Sequence, residues 1–222
     1  MIGTYIGTIV VSSILAYLAT CFKNCYESKS KFHLNGILKK ELKLFLILII
    51  SYNIAGILFL NFKSDKTELL KIFQYLFLWE STLLIAYIDL RKKKIPNIII
   101  LMAIGAKILG MIFENIILKK SLIDMMIFSC GGLVAGGGFI LFCMLLCRVF
   151  SKGKIGAGDM KLYAVVGFYV GIIGVVNIMF YSVFISAIVG LALIVIKKVE
   201  SKTQIPMAPF VFLGLSIYLI VL

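Results

Sequence analysis

"GAGDMKLYAVVGFYVGIIGVVNIMFYSVFISAIVGLALIVI", residues 156–196, decides the solvent of this chain. No charged residue occurs between Leu162 and Ile196. A helix needs only ~20 apolar residues to cross the hydrocarbon core of a bilayer, so this run is too long for one crossing. Gly171 and Gly174, with Asn177, offer a tight reversal, which gives two segments at about 159–173 and 175–196. At the mouth of the first stands Asp159, behind Gly156 and Gly158. An ionisable group at a membrane edge is costly enough that it usually has a job. "YIDLRKKKIPN", residues 87–97, raises the same question about Asp89.

The composition agrees with a membrane solvent. Of 222 residues, 62% are hydrophobic and 15% charged, and the mean hydropathy is +1.10. A soluble domain of this length would have too little polar surface to cover itself. Six further apolar segments lie at about 2–22, 42–62, 69–89, 96–118, 122–148 and 206–222, eight in all. The expected fold is therefore an all-α polytopic membrane protein with about eight transmembrane helices. It forms one integral membrane domain over 1–222, with lipid as its surroundings and a short loop at 23–43. The opening run lacks a basic n-region and a clear small-residue cleavage site, so it reads as a retained helix.

The net charge of +13 would suggest nucleic acid in a soluble protein. Here the basic residues lie in short loops between apolar runs, which points to membrane orientation instead. Alternating loops hold 17 of the 23 Lys and Arg against five on the other side, and Lys107 falls inside a segment. That bias puts the richer loops in the cytosol and both termini outside. Asp89 and Asp159 then share the cytosolic face.

Cysteine usage is sparse. Cys21/Cys25 and Cys143/Cys147 have i,i+4 helical spacing near one face, so a four-thiolate zinc site is conceivable. Small apolar packing is the preferred reading, with Cys130 as a fifth, unmatched thiol. His33 lies in a polar loop and reads as solvated. No cofactor is expected. Gly132 and Gly136 in "CGGLVAGGG", residues 130–138, have the GxxxG spacing that lets helix backbones approach closely in lipid. Pro96 and Pro206 each begin a segment, where a missing N–H costs least.

Two carboxylates within reach of each other cannot both ionise cheaply, so they share a proton. The ionised one can take a proton from water while the neutral one donates to a carbonyl oxygen, which suffices for peptide hydrolysis. Gly156 and Gly158 would let a substrate backbone come close to Asp159. From residues alone, an ion site or plain interfacial charges remain alternatives. Glu80 sits nine residues before Asp89, on roughly the opposite helical face, and is expected to make a buried polar contact with another helix, or to be protonated, rather than act directly.

"GAGDMKL" at 156–162 resembles the GxGD signature of intramembrane aspartyl proteases. "IDLRKKKIPN" at 88–97 is similar to the first-aspartate motif of the type IV prepilin peptidase family, and "IPMAPFVFLG" at 205–214 to that family's last-helix pattern. The resemblance implies a GxGD protease architecture with Asp89 and Asp159 as the catalytic pair. Gly156, Gly158, Lys161, Pro96, Asn97, Pro206 and Pro209 would give motif or substrate support. It also implies a cytoplasmic-membrane peptidase whose partners are prepilin-like precursors, cut at their short basic leader on the cytosolic side. Bifunctional members carry a cytosolic insert with two CxxC pairs and a methyltransferase activity. Here loop 23–43 is short and holds only Cys25, with Cys21 at its edge, so the chain looks like the peptidase-only members. Two rivals stay open: a presenilin-like or signal-peptide-peptidase-like protease, and a small ion-coupled transporter using the same carboxylates.

Overall fold

The computed structural model describes residues 66–150, 156–196 and 206–221, with side-chain surroundings over 70–146, 156–196 and 206–221. Segments 2–22 and 42–62, loop 23–43, His33, Cys21, Cys25 and the Cys147 side chain lie outside the described residues. The chain divides into two compact units at Leu76 and Phe77, and only the start of one helix represents the first.

The described residues form five helices and no strand: α1 Lys66–Lys92, α2 Asn97–Leu118, α3 Leu122–Phe150, α4 Ala157–Val195 and α5 Ala208–Val221. Their limits follow the punctuation of the sequence. Lys93 stops α1 in the left-handed region at φ 50°, its N–H bonded to the Asp89 carbonyl at 2.8 Å. Pro96 precedes the first turn of α2, where its fixed φ suits an N-cap (φ −73°, ψ 122°). Lys119, also left-handed at φ 52°, ends that helix. Between α2 and α3, Lys120 Nζ lies 3.5 Å from Glu114 Oε2, and Asn115 Nδ2 donates to the Lys120 carbonyl at 2.6 Å.

Among the described residues, α2, α3 up to Leu146 and α4 are long and apolar enough to cross a membrane. Their outward faces stay apolar, with Leu101, Ile123, Ile173, Phe180 and Val195 all exposed. Helices that are hydrophobic all round belong in a core or in lipid. The other two helices fall outside that criterion. The polar residues of α1, such as Glu68, Lys71 and Glu80, keep it outside that class. The last segment, expected from 206, begins its helix at Ala208 and has 14 helical residues, about 21 Å at 1.5 Å per residue. Pro206 lies before the helix and Pro209 in its first turn, where proline is tolerated.

The run that opened the sequence reading does fold back. Tyr163 and Ser182 share a hydrogen bond of 2.6 Å between their hydroxyl groups. Nineteen residues of straight helix would hold them about 28 Å apart, far beyond the reach of the two side chains. The break is Gly171, at φ 76° and ψ −174°, a backbone shape essentially confined to glycine. Both α4 halves thereby face one another, around the buried Tyr163, Val166, Val175 and Ile178.

α3 runs antiparallel to the first half of α4 in steps of four residues. Phe128 lies against Gly171, Gly132 against Gly167, and Gly136 against the Tyr163 carbonyl. A Cβ on Gly132 would overlap the Gly167 carbonyl, and one on Gly167 the Gly132 carbonyl. The GxxxG spacing is thus a helix-packing device, as expected. Tyr169 ties α2 to the same core by donating from its hydroxyl to the Ala103 carbonyl at 2.7 Å. The Lys107 ammonium, the cation inside the α2 segment, lies 5.4 Å from the centre of the Tyr169 ring.

α5 is held from two sides. A Cβ on Gly214 would meet the Ile178 carbonyl at 2.9 Å, and one on Gly174 the Tyr218 hydroxyl at 2.8 Å. From α1, Trp79 Nε1 donates to Ser216 Oγ at 2.9 Å, and its ring lies 5.1 Å from that of Phe212. These contacts fix where the first turn of α5 points.

Candidate active site

Three helix ends meet around Asp89: the last turn of α1, which carries it, the first turn of α4, which carries Asp159, and the start of α5. Asp89 is buried. Its Oδ2 accepts the Ala208 N–H at 3.2 Å, and the neighbouring Met207 N–H lies near enough to favour its charge. A helix N-terminus offers unsatisfied N–H groups and partial positive charge, so it suits a carboxylate. The flanking prolines make this start specific. Pro206 and Pro209 have no N–H to offer, and the amides of Phe210 and Val211 turn back to the Met207 carbonyl at 3.0 and 3.2 Å. The Ala208 amide is therefore the donor to Asp89, with the Met207 amide beside it.

Asp159 is held differently. Gly156 is the N-cap of α4, which makes Asp159 the third helical residue. The Asp159 N–H donates to the Gly156 carbonyl at 3.0 Å, and the Asp159 carboxyl in turn takes the Gly156 N–H. That is the returning half of a capping box, with glycine supplying only backbone. Asp159 is partly exposed and lies close enough to Asp89 to feel its charge. One buried and one part-buried carboxyl repel when both are ionised, so a charge on one disfavours a charge on the other.

Two contacts join the motifs that carry the pair. A Cβ on Gly158 would meet Ile95 at 3.1 Å, so the turn after α1 rests on the glycine before Asp159. Lys161 Nζ donates to Asn97 Oδ1 at 3.0 Å, linking the first turns of α4 and α2. Gly156 and Gly158 thus serve the packing and capping of this corner. Pro96 is buried beside it as the α2 N-cap, while Pro206 and Pro209 shape the α5 start. Lys93 adds a positive charge that acts on Asp89, and Arg91 stacks over Tyr87, 4.7 Å from the ring centre. Glu80 is buried within α1.

Sequence reading singled out the prolines near 206 but missed the amides they leave open. The available signal was the spacing itself: Pro-x-x-Pro at a helix start leaves two free N–H groups. It also left Lys161 without a partner, because Asn97 lies 64 residues away. No group of three or more metal-ligating residues exists among the described residues, where Cys130 and Cys143 are free thiols.

The family model described as the type IV leader peptidase family matches residues 76–195. The chain is also similar to the prepilin leader peptidase/N-methyltransferase of Bacillus subtilis (strain 168), 32% identical over 84 residues. That match covers 38% of this chain and only a third (33%) of the relative. No solved structure matches significantly.

Proposed function

The chain belongs to the type IV leader peptidase family, and on that premise we propose that it is an aspartic endopeptidase of the cytoplasmic membrane. Its substrates are prepilin-like precursors, whose short basic leader it removes at the cytosolic face, within an architecture of about eight crossings. The observation that carries this reading is the corner where Asp89 and Asp159 come within electrostatic reach, each held by backbone amides. Their places at helix ends, rather than mid-helix, favour a site at the membrane edge over a mid-depth ion site. The basic loops beside both residues support the cytosolic side.

In this reading Asp89 and Asp159 share one proton and need no metal or covalent intermediate. Cleavage without methylation is part of the proposal. A methyltransferase must hold its methyl donor and the new amine in a folded pocket, and about 20 residues at 23–43 cannot bury a core for one. The test is to reconstitute the purified protein with a prepilin-like precursor and the methyl donor S-adenosylmethionine, then weigh the products. A mature chain lacking only its leader is expected. An uncut precursor would refute the peptidase, and a product heavier by one methyl group would refute the restriction to cleavage.

A further inference from the structure

The two carboxyls of the pair are not equivalent in their surroundings. Asp89 is buried, which works against a charge there, and this is opposed by the Ala208 N–H at a helix start, the Met207 amide beside it and the charge of Lys93. Asp159 is paired with the Gly156 backbone N–H and, though part-buried, keeps more exposed surface than Asp89. Hydrogen bonds donated to a carboxylate favour its ionised form, and a helix N-terminus adds to this.

We propose that Ala208, at the start of α5, is a positioning residue whose backbone amide, with that of Met207 beside it, fixes Asp89 as the ionised member of the pair, leaving the shared proton on Asp159. This assignment rests on the aspartic peptidase reading and adds a direction to it. Asp89 takes a proton from water as the water oxygen bonds to the peptide carbonyl carbon. Asp159 gives its proton to the carbonyl oxygen, and a neutral gem-diol results. In the second step Asp89 passes its new proton to the amide nitrogen while one gem-diol hydroxyl returns a proton to Asp159. The C–N bond breaks, a carboxylic acid and an amine leave, and the pair regains its starting protonation. The α5 start is thus the element that sets which aspartate is base and which is acid. The same logic accounts for the two prolines: they strip the helix start of other donors and leave these two amides for Asp89.

Two reagents of opposite demand test the assignment on the intact, reconstituted protein near neutral pH. A diazoacetyl amide needs a protonated carboxyl: it takes the proton, loses N2 and leaves an ester. A small epoxide needs an ionised carboxylate, which opens the ring, and the alkoxide then takes a proton from water. Peptide mapping by mass spectrometry locates each ester. The expected result is diazo label on Asp159 and epoxide label on Asp89, each favoured by about tenfold or more, the scale of one charge-assisted hydrogen bond.

Ala208→Pro then removes one amide at a position where helices accept proline well, the first helical residue. It should spread the diazo label onto Asp89 and lower kcat more than it changes KM. Ala208→Gly keeps the N–H and should keep the preference. Equal or reversed labelling in the unmodified protein overturns the assignment, and so does an unchanged preference in Ala208→Pro. Neither result touches the peptidase reading, which fails separately if Asp89→Asn or Asp159→Asn still cuts the leader.

Discussion

Lys161 Nζ donates to Asn97 Oδ1 at 3.0 Å, so the residue two places after one aspartate grips the residue eight places after the other. The bond spans 64 residues of sequence and joins the first turns of α2 and α4. Because the pair is exposed, its contribution to stability is small, about 1 kcal/mol or less. Its effect should appear in activity, through the placement of Asp159 against Asp89.

Lys161→Met and Asn97→Ala should each lower kcat/KM for leader cleavage by about tenfold, the scale of one lost charge-assisted hydrogen bond. The double variant should be no worse than the poorer single one, since both remove the same contact. Lys161→Arg, which keeps charge and donors, should recover part of the loss. A double-mutant cycle on purified variants measures this, and additive losses would show that the two residues act separately.

The α3–α4 interface gives a sharper stability expectation. Gly132→Ala places a methyl group on the Gly167 carbonyl, so the helices must part. Overpacking of this kind costs about 1–3 kcal/mol. Gly105→Ala in α2 meets nothing within 4 Å and should be neutral or stabilising by about 0.5–1 kcal/mol, through helix propensity alone. Thermal or denaturant unfolding in detergent compares the two, and equal effects would contradict the packing described.

Lys119 ends α2 with φ 52°, a region that costs an ordinary residue roughly 1–2 kcal/mol and glycine little. Lys119→Gly should therefore raise the unfolding midpoint, by an amount corresponding to about 1 kcal/mol. A lowered midpoint would mean that the lysine side chain matters more than its backbone shape.

Much of this architecture was legible because the chain punctuates itself. Lys and Arg clusters and Pro96 bracket the apolar runs, so the expected segments 96–118 and 122–148 fall within two residues of α2 and α3. The reversal at Gly171 was readable because no single crossing accommodates residues 162–196. Asp89 and Asp159 stood out because ionisable groups are rare at apolar boundaries. The rest was hidden for physical reasons. Backbone amides have no letter in the sequence, so the grip of the Ala208 amide on Asp89 could only be seen in the folded chain. The Asn97–Lys161 bond is a long-range contact between two polar residues that also look at home in solvated loops.

The measurement that tests the central claim most directly is leader cleavage by purified Asp89→Asn and Asp159→Asn, each reconstituted in lipid with a prepilin-like precursor. An amide cannot shuttle the shared proton, so each variant should lose cleavage while still accumulating in the membrane. The double variant should be no worse than either one, as expected of residues that act as a unit. Near-normal cleavage by either single variant would contradict the account.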